Sequence, residues 1–200
     1  MLCKRRCHKD AGCPPVENDM RWNELEDEPC SIARSVAIVG DRWTLLILRE
    51  CFVGLTKFDA FEKRLGLSKR ILSERLQKLV DNFILVKVPY QQSPLRLEYQ
   101  LTPKGRELYP VLRTLMHWGD KHLVGKEGRP SVVVHSCGRP SDPVVSCSEC
   151  GEALEHRAGH AFQGPGGRDN PHMPPLPSTF PVEGTVADPR YNRRAKRAAA

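Results

Sequence analysis

The stretch that decides the fold reads LSKRILSERLQKL over residues 67–79 and follows directly after Gly66. Ser68 is a favourable N-cap residue, so the pattern predicts a helix from Ser68 to about Asn82. Apolar residues recur along it at helical spacing and are expected to turn inward. This inward set is Leu72, Leu76, Leu79 and Phe83. The opposite side of the helix therefore faces the solvent.

Three shorter helices are predicted before this one. The first begins near Cys30, and Gly40 separates it from the second, for which Asp41 is the expected N-cap. Gly54 ends the second helix, and the third covers residues 57–65. A glycine-containing turn joins the third helix to the long one, so the pair predicts a helix-turn-helix.

A two-stranded wing is expected after the long helix. Residues 84–88 and 95–101 have the composition and alternation of strands, and residues 89–94 read as the loop between them. Thr102 then caps a last long helix with Pro103 at its first position. We therefore predict an α+β fold that is mainly α, a winged helix-turn-helix.

The last helix carries more apolar surface than one small core can use. Its stripe consists of Leu108, Val111, Leu112, Leu115, Trp118 and Leu123. A second copy of the chain would cover the surplus, so we expect a C-terminal dimerisation helix and a homodimer.

Composition divides the chain into four segments. Residues 1–29 and 158–200 are polar or rich in Pro and Gly, and we expect both to be disordered, the second with a basic end. Residues 30–125 form the predicted folded domain, and residues 131–157 a small Cys/His module. Residues 32–125 carry 16 Lys and Arg against 9 Asp and Glu, which accounts for an excess as large as the net charge of +7. A basic folded segment indicates a polyanionic partner.

No apolar run approaches the ~20 residues of a membrane helix, and the N-terminal residues lack the apolar run of a secretory signal. We therefore expect a cytoplasmic protein without a membrane partner. In that compartment its 8 cysteines would be thiols, metal ligands or redox sensors rather than a disulfide framework.

The solvent side of the predicted helix carries the side chains that a DNA groove reader needs. Arg pairs with guanine edges, Ser and Gln bond base edges or phosphates, and the free amides of a helix N-terminus favour a phosphate. The candidates on the exposed side are Ser68, Lys69, Arg70, Ser73 and Gln77. Arg75 and Lys78 lie on the flank and are expected to contact the DNA backbone, and Lys87 and Arg96 bracket the wing loop. These residues predict binding to double-stranded DNA.

Four stretches together resemble the HxlR family of winged-helix regulators, relatives of the MarR group. They are residues 30–33 (CSIA), 40–49 (GDRWTLLILR), 68–76 (SKRILSERL) and 96–105 (RLEYQLTPKG). The resemblance implies a homodimer that binds an inverted repeat in promoter DNA. Lys69 stands where a small residue or proline is expected, which could alter the operator sequence, and Phe61 stands where leucine is usual.

The Cys/His module has the spacing of a structural zinc site. Cys147 and Cys150 form a Cys-x-x-Cys-Gly knuckle, and His135 and Cys137 lie two residues apart on a predicted strand. Three Cys and one His suit structural Zn²⁺, with His156 as an alternative fourth ligand. Extended members of the HxlR group have a similar His-x-Cys-Gly and Cys-x-x-Cys-Gly pair. A redox Cys-x-x-Cys is the rival, without the strand–helix unit of a thioredoxin-like site.

The remaining cysteines differ in context. Cys30 stands at the start of the first helix, where the helix dipole favours a thiolate, and some family members sense oxidants through a cysteine here; a buried structural role is the alternative. Cys51 is expected in the core. The N-terminal set of Cys3, Cys7, His8 and Cys13 is a weak metal candidate in a segment expected to be disordered.

The sequence contains none of the common catalytic motifs, and its basic centre has no cluster of carboxylates, so we do not expect an enzyme. Two functions remain. The first is a sequence-specific transcriptional regulator, with a thiol- or ligand-dependent response as a further expectation. The second is a zinc-ribbon adaptor that binds a protein and has no preference among DNA sequences.

Overall fold

The computed structural model describes residues 24–156, 159–167 and 173–177. Two groups of residues lie outside the described ranges. They are the cysteines and histidine at positions 3, 7, 8 and 13, and the basic residues of the C-terminal end, Arg190, Arg193, Arg194, Lys196 and Arg197. The elements in chain order are α1 Ser31–Val39, α2 Arg42–Phe52, α3 Phe58–Leu65, α4 Lys69–Asp81, β1 Leu85–Gln91, β2 Arg96–Leu101, α5 Pro103–Arg106 and α6 Tyr109–His122. The α+β prediction is confirmed.

Side-chain caps fix where the key helices begin. Asp41 accepts hydrogen bonds from the backbone N–H groups of Trp43 and Thr44, each at 3.0 Å, and so starts α2. Ser68 accepts from the N–H of Ile71 at 3.4 Å and starts α4. Both caps satisfy amides that have no partner inside the helix, which is why the N-termini of these helices could be predicted.

One hydrophobic core holds the helix-turn-helix in place. Leu72, Leu76 and Leu79 of α4 are fully buried, as are Phe61 of α3 and Leu48 of α2. Around them lie the other buried members of the cluster, namely Ile47, Cys51, Leu67, Ile84 and Leu85. Because α4 gives its apolar side to this core, its orientation is fixed and its polar side is left outside.

The turn between α3 and α4 depends on one glycine. Gly66 ends α3 with φ +63° and ψ +24°, and its N–H donates to the Glu62 carbonyl at 2.9 Å. A side chain is disfavoured in this left-handed conformation, whereas glycine adopts it at little cost. Leu67 follows it into the core, and α4 begins immediately afterwards.

The wing is an antiparallel pair in which Leu85 faces Leu101 and Lys87 faces Tyr99. The predicted loop over residues 89–94 is too long, because β1 continues to Gln91 with an irregular register after Pro89, and the turn occupies residues 92–95. A segment missed in the sequence also joins the wing: Lys57 forms an isolated bridge with Glu98.

Two other expectations are wrong. Phe83 was expected to face inward but is 43% exposed with φ +56°, because the chain turns there and places Ile84 in the core instead. The single last helix is divided into α5 and α6 at Glu107 and Leu108. Pro110 has no N–H to donate to the carbonyl four residues earlier, so a continuous helix would lose a bond there.

The residues after α6 form turns and isolated bridges rather than long elements. Of the N-terminal segment expected to be disordered, residues 24–29 are described and form turns and bends, and the Arg34 Nε donates to the Glu28 carbonyl at 2.6 Å. In the described ranges no helix is both long and apolar enough to cross a membrane.

Candidate nucleic-acid interface

The first turns of α4 form an exposed, basic surface. Ser68, Lys69, Arg70 and Ser73 are all exposed, and in the described part of the chain neither Lys69 nor Arg70 has a hydrogen bond or ion pair to another side chain. The core beneath them fixes the helix, while the lysine and arginine head groups have no bonding partner among the described residues. This arrangement suits a helix that is inserted into a groove.

Arg75 and Lys78, for which a contact with the DNA backbone stays a prediction, each make a contact within the fold. The Arg75 Nε lies 3.5 Å from an Asp41 carboxylate oxygen, and the side chain is 32% exposed. Lys78 Nζ donates to the Ala37 carbonyl at 2.6 Å. These two contacts tie α4 to α1 and to the start of α2. Their role visible in the structure is therefore to position the helix.

The second half of the exposed face is joined to the wing. Lys87 Nζ donates to Gln77 Oε1 at 2.7 Å, and Gln77 Nε2 donates to Asp81 Oδ1 at 2.8 Å. Lys87 also lies 6.0 Å from the centroid of the Tyr99 ring. This chain of contacts sets the angle between α4 and the wing. The last wing candidate, Arg96, is exposed at the first residue of β2.

The segment before α3 contacts the wing, which was not predicted from the sequence. Lys57, the residue before α3, places its ammonium group 4.6 Å from the centroid of the exposed Tyr90 ring. Thr56 donates its hydroxyl proton to Glu98 at 2.9 Å, and this bond, after one from Gln100, lowers the pKa of the Glu98 carboxyl. A lysine directly before the helix-turn-helix was the available signal, but its pairing with β2 is a long-range contact.

Glu74 is the one acidic residue among the exposed side chains of the first two turns of α4. It stands four residues after Arg70, on the same side of the helix. A carboxylate in a groove accepts a hydrogen bond from cytosine N4. Glu74 therefore joins the candidates, although its negative charge gave no signal of DNA binding in the sequence.

One side of α6 is apolar and uncovered. Val111 is 52% exposed, Leu115 51% and Trp118 54%, and Leu123 just after the helix is exposed as well. Leu108 and Leu112, from the same predicted stripe, pack against the core. The surplus apolar surface foreseen in the sequence therefore lies on a continuous helix face.

The other side of α6 is covered by the chain that follows it. Arg113 is nine-tenths buried and donates to the Ser141 carbonyl at 2.6 Å. Arg129 donates to both oxygens of Asp142 at 2.8 and 3.0 Å, and this pair, with His117 of α6 nearby, holds the pKa of Asp142 below its usual value. The start of the Cys/His module is thus attached to α6.

The four predicted zinc ligands occupy two separate turns. His135 and Cys137 belong to the first, and Cys147 and Cys150 to the second. Within the described ranges, no group of three or more His, Cys, Asp and Glu side chains is gathered closely enough to hold a metal. The pKa of the Cys147 thiol is lowered by the backbone amides of Cys150 and Glu149 and by the Cys150 thiol.

The two remaining described cysteines are in opposite environments. Cys30 is exposed at the N-cap of α1, and its side chain makes no capping bond. Cys51 lies in the core as expected, and burial raises the pKa of its thiol to about 12. Of these two cysteines, Cys30 is the one available to a reagent in solution.

The fold and its exposed basic helix agree with the comparisons. A family model described as the HxlR-like helix-turn-helix matches residues 38–127. An HTH-type transcriptional regulator of Mycobacterium tuberculosis is 42% identical over 137 residues, which cover 68% of this chain and 87% of the relative. The chain belongs to the HxlR-like helix-turn-helix family. It is an HTH transcriptional regulator.

Other relatives show how far the likeness extends. The HTH-type regulator YvaP of Bacillus subtilis is 36% identical over 91 residues, covering 45% of this chain and 84% of that protein. The crystal structure of PA1607, described as a transcription factor, matches with a TM-score of 0.64 and 34% identity over 70% of this chain and 98% of that one. The mycobacterial and PA1607 matches exceed the HxlR-like segment, so the similarity extends outside it.

Membership of this family bears on the two functions left open by the sequence. HxlR-like proteins are transcriptional regulators, a class whose members are typically not enzymes. The family assignment favours the regulator over the adaptor without sequence preference. The family assignment does not identify the individual side chains that contact DNA, and these must be inferred from the geometry.

Proposed function

We propose that this HxlR-like regulator acts in the cytoplasm as a homodimer on an inverted-repeat operator, with the first turns of α4 in the major groove. The observation that carries the proposal is the exposed set at the start of α4, in which Lys69 and Arg70 make no side-chain bond within the described residues while the opposite side of the helix is fully buried. A groove-reading helix needs both properties, because a mobile helix could not hold a register on the bases.

Each residue of this set has a separate part in the proposal. Arg70 makes the specific contact, with its guanidinium paired to guanine O6 and N7. Ser73 and Gln77 bond base edges further along the groove. Ser68 and Lys69 lie at the helix N-terminus, where the free amides and the lysine charge fit a phosphate oxygen. Arg70 would then discriminate between base sequences, and Lys69 would raise the affinity for DNA of any sequence.

The wing supplies the second contact. Arg96 stands exposed beside the turn, within reach of the minor groove or backbone next to the major-groove site. Lys87 is bonded to Gln77, so its part is to couple wing and helix while its charge remains near the backbone. Arg75 and Lys78 act by holding α4 in place, as their bonds to Asp41 and Ala37 support.

Dimerisation is assigned to the uncovered face of α6. In an isolated chain Val111, Leu115 and Trp118 are about half exposed to water. Covering them would stabilise a dimer by about 25 cal/mol for each Å² of apolar surface removed from water. Pairing two copies of one helix face produces twofold symmetry, which places two α4 helices on neighbouring half-sites. The operator is therefore an inverted repeat with half-sites about one helical turn apart.

Cys30 is proposed as a thiol that adjusts DNA affinity. Its exposure at the N-cap of α1 supports reaction with an oxidant. The test is the operator affinity of Cys30→Ser with and without diamide. The variant should no longer respond, whereas a retained response would remove Cys30 from this role.

The test of the whole proposal is selection of bound duplexes from a random DNA pool by the full chain. We expect a twofold symmetric motif, bound at least about a thousandfold more tightly than random duplex. A protein that binds only through its charge would enrich no motif, although its binding would still weaken with salt. Enrichment of a single, unpaired half-site would support the α4 assignment and contradict the dimer.

A further inference from the structure

Two turns of similar design lie in the Cys/His module, and the DNA-binding proposal uses neither. In the first, the Gly138 N–H donates to the His135 carbonyl at 2.8 Å. In the second, the Gly151 N–H donates to the Cys147 carbonyl at 2.9 Å. Each turn is closed at its base by two more backbone bonds and an isolated bridge, so each is a miniature hairpin.

The backbone of both turns is set by a glycine that directly follows a cysteine. Gly138 has φ +82° and follows Cys137, and Gly151 has φ +76° and follows Cys150. These values lie in the left-handed region, which glycine occupies without strain. The glycines therefore let each chain reverse immediately after a cysteine, with that cysteine left exposed at the tip.

Each turn carries a pair of side chains that can bind a metal. In the first turn His135 and Cys137 are joined by a bond from the Cys137 N–H to Nδ1 of His135 at 3.3 Å. In the second turn Cys147 begins the turn and Cys150 directly precedes its left-handed glycine. The same backbone arrangement therefore presents two candidate ligands in each turn.

We propose that the two turns together bind one Zn²⁺, with Cys137, Cys147 and Cys150 as thiolate ligands and His135 as the fourth. Three soft sulfur donors and one imidazole fit tetrahedral Zn²⁺ and do not suit Mg²⁺ or Ca²⁺, which prefer oxygen. Each thiol gives its proton to the solvent as its bond to the metal forms. With four protein ligands, the site is structural.

Binding must draw the turns together, because no three of these donors are gathered in the described residues. The intervening segment is anchored at one place: Ser141 and Asp142 are bonded to Arg113 and Arg129. Arg113 belongs to α6, so the first turn starts from a fixed position beside the helix with the uncovered apolar face. The metal would then hold the second turn to the same helix.

The experiment is titration of the reduced full chain with Co²⁺, a spectroscopic substitute for Zn²⁺, followed by competition with Zn²⁺. We expect one equivalent to bind with the visible absorption of a tetrahedral site and a sulfur-to-metal charge-transfer band for three thiolates. Cys147→Ser, Cys150→Ser and Cys137→Ser should each reduce that band by one thiolate and weaken binding more than about 100-fold. The exposed thiol Cys30 supplies the matched control, Cys30→Ser, which should leave both unchanged.

The nitrogen ligand is tested by a second pair of variants. His135→Ala should weaken Co²⁺ binding, and His156→Ala should not. The reverse result would overturn the assignment of His135. Absence of a tetrahedral spectrum, or a spectrum unchanged by Cys137→Ser, would overturn the shared site. Because these readouts require no DNA, a failure of this proposal is distinct from a failure of the DNA-binding proposal.

Discussion

Asp41 both caps α2 and forms an ion pair with Arg75 of α4, and two substitutions at this position separate the two contributions to stability. Its carboxylate caps α2 through the amides of Trp43 and Thr44, accepts a bond from the fully buried Thr44 hydroxyl, and faces Arg75 of α4. Asp41→Ala removes all of these contacts. Asp41→Asn retains an oxygen that can cap the helix, replaces the oxygen that accepts from Thr44 with an NH2 that can donate to the Thr44 hydroxyl instead, and removes the charge.

The magnitudes follow from these contacts. Loss of an N-cap costs about 0.5–2 kcal/mol, and a buried hydroxyl without a partner costs about 1–3 kcal/mol. The ion pair with Arg75 is partly exposed and contributes less than about 1 kcal/mol. We therefore expect Asp41→Ala to lower the free energy of unfolding by about 2–4 kcal/mol, and Asp41→Asn by no more than about 1 kcal/mol.

The assay is urea denaturation followed by circular dichroism at one fixed protein concentration, because dimerisation would make the stability depend on concentration. Arg75→Ala is the partner variant. Its coupling to Asp41→Asn in a double-mutant cycle should be below about 1 kcal/mol. Equal losses for Asp41→Ala and Asp41→Asn would refute the capping argument, since they would place the whole effect in the charge.

Three further predictions concern other parts of the fold. Gly105→Ala places a Cβ in steric overlap with the Ile84 carbonyl oxygen and should destabilise the protein by about 1–3 kcal/mol in the same assay; an unchanged midpoint would contradict that close approach. Leu115→Glu should give the molar mass of a monomer in light scattering, because it places a charge in the apolar face of α6, whereas the matched surface variant Gln92→Glu should give that of a dimer. Equal molar masses for the two variants would argue against this face as the dimer interface. The neutral Cys51 thiol is favoured by the fold, so its contribution to stability is present below pH 9 and is lost as the pH rises towards its folded pKa of about 12. Unfolding measured from pH 8 to 10.5 should therefore show a shallower decline for Cys51→Ala, and parallel slopes would exclude this contribution.

Local signals in the sequence were sufficient to locate the helix-turn-helix. Asp41 and Ser68 were recognised as caps because a capping side chain acts within three residues, and the three α4 leucines follow a helical period. The exposed basic side of α4 followed from that period alone. These features depend on short stretches of chain, which is why they could be predicted.

Contacts between segments far apart in the chain could not be predicted, and one expectation at the end of α4 was wrong. Arg75 looks like any other basic residue on a helix flank, and only the folded chain brings it to Asp41, 34 positions earlier. Lys57 pairs with Glu98 across a similar gap. Phe83 continues the helical spacing of the leucines, but α4 has already ended at Asp81 and the turn directs its ring outward.

The central claim is that Arg70 reads a base from the exposed start of α4. The most direct measurement is a binding titration of the selected operator and of random duplex by the wild type, Arg70→Ala and Lys126→Ala, which removes one exposed charge elsewhere. Arg70→Ala should lose about 1–3 kcal/mol on the operator, roughly 5- to 150-fold in Kd, with little change on random duplex. If Arg70→Ala and Lys126→Ala weaken both duplexes to the same extent, the side chain supplies charge only, and the claim is contradicted.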